Sequence, residues 1–192
     1  RNMAWTAVIL AAGKGTRMAS PKPKALQNLA GKALIDHVLS TLTRADIDDV
    51  VIVYSPGAKE EFENNIQTET KITYAEQHEA LGTAHAVKTA LPHVSTDNFL
   101  VLLGDVPLLS ESSVIKIKEE LESNKLVILT AHAKDPTGYG RISKDREGKP
   151  SAIIEELDCN DEQKKIKEIN SGIMAFNTET AKSLIEKIEP NP

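Results

Sequence analysis

Cysteine is all but absent: Cys159 is the only one in 192 residues, which excludes an internal disulfide and fits a reducing compartment. Long apolar runs are missing too, and no stretch reaches the length a membrane-spanning helix needs. The start, Arg1-Asn2-Met3, reads as a tag remnant ahead of Met3 rather than as a signal peptide. Positive charge is not in excess, since 23 Lys and Arg stand against 28 Asp and Glu for a net charge of −5. A nucleic-acid binder would carry a basic face, so that class of partner is excluded as an expectation. A cytoplasmic protein without membrane association is expected. With 40% hydrophobic and 27% charged residues, the chain can bury a substantial core as one domain, or as one domain and a small lobe.

What is present begins with an apolar stretch, Trp5–Leu10, that reads as a first buried strand and opens into A-A-G-K-G-T-R-M, residues 11–18. No bulky side chain at Ala11, Ala12, Gly13 or Gly15 keeps backbone N–H groups from an anionic ligand. Lys14 and Arg17 add positive charge, and Lys24 follows on a proline-stiffened segment, K-P-K-A. A polyphosphate is the expected guest. The loop lacks the G-K-[ST] ending of a Walker motif, and Met18 stands where a dinucleotide-binding loop has its third glycine.

Continuous apolar runs at 50–54 and 99–103 join 7–10 as strands covered on both faces, the mark of a parallel sheet. Helical periodicity at 33–44 and 83–91 lies between them, giving β-α-β-α-β order. Sheets of this kind bind ligands at the carboxyl ends of their strands, so the loop after Leu10 and the Gly104-Asp105 pair after Leu103 are expected to face one crevice. Further on, 112–122 and 178–188 read as helices, and Leu126–His132, 152–154 and 168–176 as strands. A turn-rich D-P-T-G-Y-G follows Lys134, and a charged hairpin covers 145–150.

Several residues admit two roles. Asp105, at a strand end beside the phosphate loop, suits Mg²⁺, which commonly takes one or two carboxylates with substrate phosphates and water. It also suits a turn cap. Gly82-Thr83 marks a helix N-terminus whose backbone donors can read a base edge, or where Thr83 is an ordinary N-cap. His78 and His85 are assigned no chemistry. Gly138-Tyr139-Gly140-Arg141, Glu155 and Asn170-Ser171-Gly172 supply a carboxylate and an amide of the kind that bind sugar hydroxyls, or simply loops and a charged face.

Taken together, L-A-A-G-K-G-T-R-M, P-K-A-L, Q-x-x-x-L-G-T-x-H-A, G-D-V-P-L, D-P-T-G-Y-G-R-I, I-x-E and E-I-N-S-G-I occur in an order that resembles the sugar-1-phosphate nucleotidyltransferases. The similarity is strongest to the uridylyltransferase domain of the bifunctional bacterial enzymes that make UDP-N-acetylglucosamine. It implies an α/β, Rossmann-like fold over residues 3–192, with a mainly parallel sheet and a small sugar-binding lobe. It further implies UTP and N-acetylglucosamine 1-phosphate as substrates, with Mg²⁺ as cofactor. Carried over by motif, Leu10, Ala11, Ala12, Gly13, Gln77, Gly82 and Thr83 surround the uridine, and Gly104 lies beside it. Arg17 and Lys24 act on the triphosphate as catalytic cations, and Asp105 holds the metal. Gly140, Glu155 and Asn170 contact the sugar. The alternatives are a non-catalytic nucleotide-sugar binding fragment or a transferase for another sugar 1-phosphate.

Two departures accompany the resemblance. Leu157 stands two positions after Glu155, where the family has a basic or polar residue. The family's domain also continues into a segment that supplies an asparagine metal ligand, and then into a trimerising, acetylating left-handed β-helix. The expectation is therefore a C-terminally truncated domain, without acetyltransferase activity, that is a monomer or weak oligomer.

Overall fold

The computed structural model describes residues 4–12, 28–29, 32–79, 81–103 and 109–187. Along them run β1 (Trp5–Leu10), β2 (Asn28–Leu29), β3 (Lys32–Ala33), α1 (Leu34–Arg44), β4 (Asp49–Tyr54), α2 (Lys59–Asn65), β5 (Ile72–Glu76) and α3 (Thr83–Ala90). There follow β6 (Asn98–Leu103), α4 (Glu111–Leu121), β7 (Leu126–His132), β8 (Arg141–Lys144), β9 (Pro150–Ile154), α5 (Asp161–Lys164), β10 (Glu168–Asn177) and α6 (Thr178–Ile185). The described residues fall into two compact units, one drawn from those up to Val127 and from Met174 onward, the other from Ile128–Ile173.

The first unit is organised by β1. All six of its residues are buried, because parallel neighbours flank it and helices cover both faces of such sheets. Its strand order is β5-β4-β1-β6-β10, and β1 pairs in parallel with both β4 and β6, with Leu10 opposite Val53 and Leu103. The sequence expectation of a parallel α/β sheet is met. Val8, Val51, Val53, Phe99 and Val101 pack with Ala86, Val87 and Ala90 of α3 in one buried cluster. Each such large apolar side chain contributes roughly 1.5–3 kcal/mol relative to exposure. Phe99 also stacks on Phe176 with ring centroids 5.4 Å apart, so truncating it would cost about 3–5 kcal/mol. One polar side chain inside β1 is satisfied: the Thr6 hydroxyl donates to Asp49 Oδ2 at 2.7 Å and shares a hydrogen bond of 2.8 Å with Thr96.

Helix boundaries follow local chemistry. α4 starts at Glu111 rather than at 112, because the Ser110 hydroxyl accepts from the Ser113 N–H at 3.1 Å and sets the cap. α6 starts where Asn177 caps the Thr180 N–H at 3.1 Å. It ends at Ile185, short of the expected 188. Neither α2 nor β5 was expected. β5, I-T-Y-A-E, offers no apolar run and buries only Ala75, as suits a strand at the sheet's edge.

In the second unit β8 pairs antiparallel with β9 and with β10, which also pairs with β7. The expected charged hairpin is the β8–β9 connection. There Asp145 Oδ1 accepts from the N–H groups of Glu147 and Lys149, both at 2.9 Å, and Gly148 supplies the turn's φ of 78°. α5 is short but carries a full capping box between Asn160 and Gln163. Cys159 is buried, its thiol donating to the Ile154 carbonyl at 3.7 Å. No helix among the described residues is long and apolar enough to cross a membrane.

Candidate functional site

In the first unit the expected nucleotide-side residues collect at the carboxyl ends of parallel strands. The Ala11 N–H continues the ladder past β1 by donating to the Val53 carbonyl at 2.8 Å, and Ser55 Oγ donates to the Ala12 carbonyl. On the other side of β4, the Gln77 N–H donates to the Tyr54 carbonyl at 2.8 Å. Leu10, Ala11 and Ala12 on one side of β4 and Gln77 on the other thus leave the sheet at the same edge. Because the Ala11 N–H is engaged, donors for a polyphosphate begin no earlier than Ala12.

Gln77 is only 5% exposed, and its amide nitrogen is fully used. Nε2 donates to the Gly82 carbonyl at 3.4 Å and lies 3.1 Å from His85 Nδ1. An amide nitrogen can only donate, so in this contact Nδ1 is the acceptor. Among the described residues Gln77 Oε1 keeps no partner, and it is the atom left for a ligand donor. His85, set aside in the sequence, is therefore a support for Gln77; its signal was the eight-residue spacing from strand end to helix face. The N-cap of α3 is Gly82, with φ 93° and no side-chain cap hydrogen bond, so Thr83 is the first helical residue and not a cap. Both are exposed. The first-turn N–H groups of α3 have no intrahelical partner and carry the positive end of the helix dipole.

In the second unit three separate segments meet at Gly140, Glu155 and Asn170. The Asn170 N–H donates to the Gly140 carbonyl at 2.9 Å. A methyl group on buried Gly140 would lie 2.9 Å from Ile153 Cγ2 and 3.5 and 3.6 Å from the two carboxylate oxygens of Glu155. Asn170 Oδ1 accepts from the Gly172 N–H at 3.0 Å, which leaves its amide nitrogen as a donor. Glu155 is exposed and has no ion-pair partner among the described residues. A carboxylate, an amide donor and a bare backbone are a set suited to sugar hydroxyls.

Two residues here were given no task of their own in the sequence. Arg141 Nη1 forms an ion pair of 2.6 Å with Glu156 Oε2, an oxygen that also accepts from the Gly138 N–H at 3.2 Å. The Arg141 guanidinium first, and then that backbone N–H, hold the Glu156 carboxyl below the usual carboxylate range. The doublet Glu155-Glu156 and the arginine closing G-Y-G-R were the available signals. Of the remaining expected site residues, Gly13, Arg17, Lys24, Gly104 and Asp105 lie outside the described residues. Among the described residues, no cluster of three or more His, Cys, Asp or Glu side chains could hold a metal ion.

A mainly parallel sheet whose central strand leads into a glycine-rich segment is the architecture expected of a nucleotidyltransferase, and the chain belongs to the MobA-like NTP transferase domain family, whose pattern matches residues 7–165. It is 42% identical over 189 residues to the bifunctional protein GlmU of Francisella tularensis subsp. novicida and 45% identical over 189 residues to that of Francisella philomiragia. Those alignments cover 98% of this chain but 41% and 40% of the two relatives, so the chain spans about two fifths of their length. Among solved structures it is similar to a putative glucose-1-phosphate thymidylyltransferase of Bacillus anthracis, with a TM-score of 0.78 and 23% identity over 97% of this chain and 76% of that one. It also resembles a UDP-glucose pyrophosphorylase complexed with UDP-glucose, with a TM-score of 0.79 and 16% identity over 98% and 81%. At these identities the likeness establishes the fold, and it bears out the Rossmann-like α/β architecture expected from the sequence.

Proposed function

We propose that this chain is a uridylyltransferase domain, joining UTP to N-acetylglucosamine 1-phosphate to form UDP-N-acetylglucosamine and pyrophosphate. The observation that carries the proposal is the meeting of Gly140, Glu155 and Asn170 from three segments, the residues the motif match assigns to the sugar. Kinship with the GlmU proteins over nearly the whole chain supports it. A phosphate oxygen of the sugar phosphate attacks the α-phosphorus of UTP, an oxygen–phosphorus bond forms, and the bond to the leaving pyrophosphate breaks. The nucleophile is already an anion, so no protein nucleophile is needed. The barrier lies in bringing two anions into line and in charge building on the leaving group.

Each residue then has a task. Gln77 Oε1 accepts from the uracil N3–H, a donor that cytosine lacks, while His85 and Gly82 hold the amide in place. Backbone N–H groups from Ala12 onward take the phosphates. Arg17 grips phosphate oxygens through its fork, and Lys24 adds a point charge. Glu155 and Asn170 orient the sugar over Gly140. Mg²⁺, when bound, neutralises phosphate charge and polarises the reacting phosphorus. The donor chemistry fits that ion: β6 sets Leu103 beside Leu10, so the strands that precede Asp105 and the glycine-rich segment in the sequence end side by side, and one carboxylate with substrate phosphates is a set Mg²⁺ commonly takes.

Pyrophosphate release tests the proposal directly. UTP with N-acetylglucosamine 1-phosphate is expected to be the preferred pair over CTP and over glucose 1-phosphate. Binding of UDP-N-acetylglucosamine without pyrophosphate release would instead make the chain a nucleotide-sugar binding module. Preference for another sugar phosphate is the second alternative, favoured by Leu157, which is 97% exposed beside Glu156 where the family carries a basic or polar group. Faster turnover of glucose 1-phosphate would decide for it.

A further inference from the structure

Arg141 has 1% of its side chain exposed and heads the largest fully buried side chains. A buried guanidinium is strongly disfavoured unless oxygens replace its water. Nη1 donates to Glu156 and to the Tyr139 carbonyl, and Nη2 reaches the Lys164 carbonyl at 3.4 Å. Nε is buried and has no partner among the described residues. Well-packed apolar residues would avoid that orphan, so fold stability alone is a weak reason for an ion pair here.

The tethers have a pattern. Tyr139 immediately precedes Gly140, and Glu156 immediately follows Glu155, so one guanidinium nitrogen holds the chain next to both sugar-side residues. Glu156 Oε2 also takes the Gly138 N–H, which adds a third point on the same loop. Arg141 is paired with Ile154 and with Ile169. Side chains alternate along strands, so Arg141 leaves the sheet on one face, while the neighbours Gly140, Glu155 and Asn170 belong to the other. The guanidinium therefore acts from behind and touches no substrate.

Taking Gly140, Glu155 and Asn170 as the sugar side proposed above, we infer that Arg141 and Glu156 are positioning residues that fix the Glu155 carboxylate against the Gly140 backbone, and so set affinity for the sugar phosphate. A lysine cannot replace the arginine, because a single ammonium cannot hold the Glu156 carboxylate and the Tyr139 and Lys164 carbonyls in the planar fork. A glutamine at 156 keeps the size and an acceptor but loses the charge that strengthens the clamp.

The test compares Glu156→Gln and Arg141→Lys with Glu155→Gln in the full chain. KM is measured separately for N-acetylglucosamine 1-phosphate and UTP, with calorimetric titration of each if turnover is too slow. Glu156→Gln and Arg141→Lys are each expected to raise the KM or Kd for the sugar phosphate about tenfold while that for UTP stays within about twofold, as for loss of one charged hydrogen bond felt on one side of the site. If Arg141→Lys does not fold, Glu156→Gln decides. Should Glu155→Gln weaken sugar-phosphate binding while the clamp variants do not, the positioning role is wrong and the sugar-side assignment stands. Unchanged sugar affinity in Glu155→Gln overturns that assignment and the positioning role with it. A fall in melting temperature with both constants unmoved, or an equal rise in both, would make Arg141 a purely structural residue and overturn the inference.

Discussion

Replacing Gly140 with alanine would put a methyl group 2.9 Å from Ile153 Cγ2, where carbon atoms prefer about 3.5–4.0 Å. One of the two must move by roughly 0.6 Å or more. Ile153 is β-branched and stiff about χ1, so the strain falls on the β8–β9 pairing rather than on a pliant side chain. Overpacking of this kind costs about 1–3 kcal/mol, which for a chain of this length lowers the melting temperature by about 2–12 °C. The same methyl lies 3.5 and 3.6 Å from the Glu155 oxygens, covering the backbone over which the sugar is proposed to sit. Sugar-phosphate affinity is therefore expected to fall about tenfold or more, as for a pocket filled by one unwanted group. Gly148→Ala is the control. Gly148 has φ 78° with nothing within 4 Å of an added methyl, so alanine there meets only backbone strain of about 1–2 kcal/mol and should spare binding. Circular dichroism melts and calorimetric titration of both variants read the two effects apart. A Gly140→Ala chain that melts and binds like the unsubstituted one would refute the close approach and the sugar site built on it.

Arg17→Ala is expected to reduce turnover by about two or more orders of magnitude, the range for losing one preorganised charge stabiliser; near-normal single-turnover rates would remove Arg17 from the mechanism. Gln77→Ala frees Gly82 and His85 and removes the Oε1 proposed to face the base, so KM for UTP should rise about tenfold with discrimination against CTP lost; retained discrimination would show that another group reads the base. The Glu168 carboxyl is held below its usual range, first by Lys144, 2.6 Å away, and then by the Thr130 hydroxyl. A lowered carboxylate pKa stabilises the fold above the ordinary glutamate range, and the contribution is lost as pH falls through the lowered value. Urea midpoints of Lys144→Met should thus lie below those of the unsubstituted chain at neutral pH and converge with them as the pH falls below the lowered Glu168 value; a constant gap would show that the lysine acts by packing alone.

The parts of the fold visible in the sequence were those whose physics is one-dimensional. β1, β4 and β6 are buried on both faces, so their runs are continuously apolar, and α1 and α3 have a periodic stripe. β5 escaped because an edge strand needs only Ala75 inside. β8 escaped because it opens with an arginine, and the burial of Arg141 makes sense only with Glu156 fifteen positions on. On the nucleotide side the motif named Gln77 and Gly82 but could not reveal that the first grips the second. The preference for hydroxyl caps pointed to Thr83, whereas a left-handed glycine took the cap. On the sugar side the three expected residues were nameable by motif, while the clamp behind them depends on pairings between distant strands.

The lone thiol, Cys159, is tucked under the backbone of Ile154, so maleimide reagents should leave the native chain untouched. Leu157, 97% exposed two residues earlier, then becomes a clean address for a fluorophore through Leu157→Cys. A dye there would sit next to Glu156, at the proposed sugar side, and offer an optical readout of binding with no need to strip the molecule of other reactive sulfur.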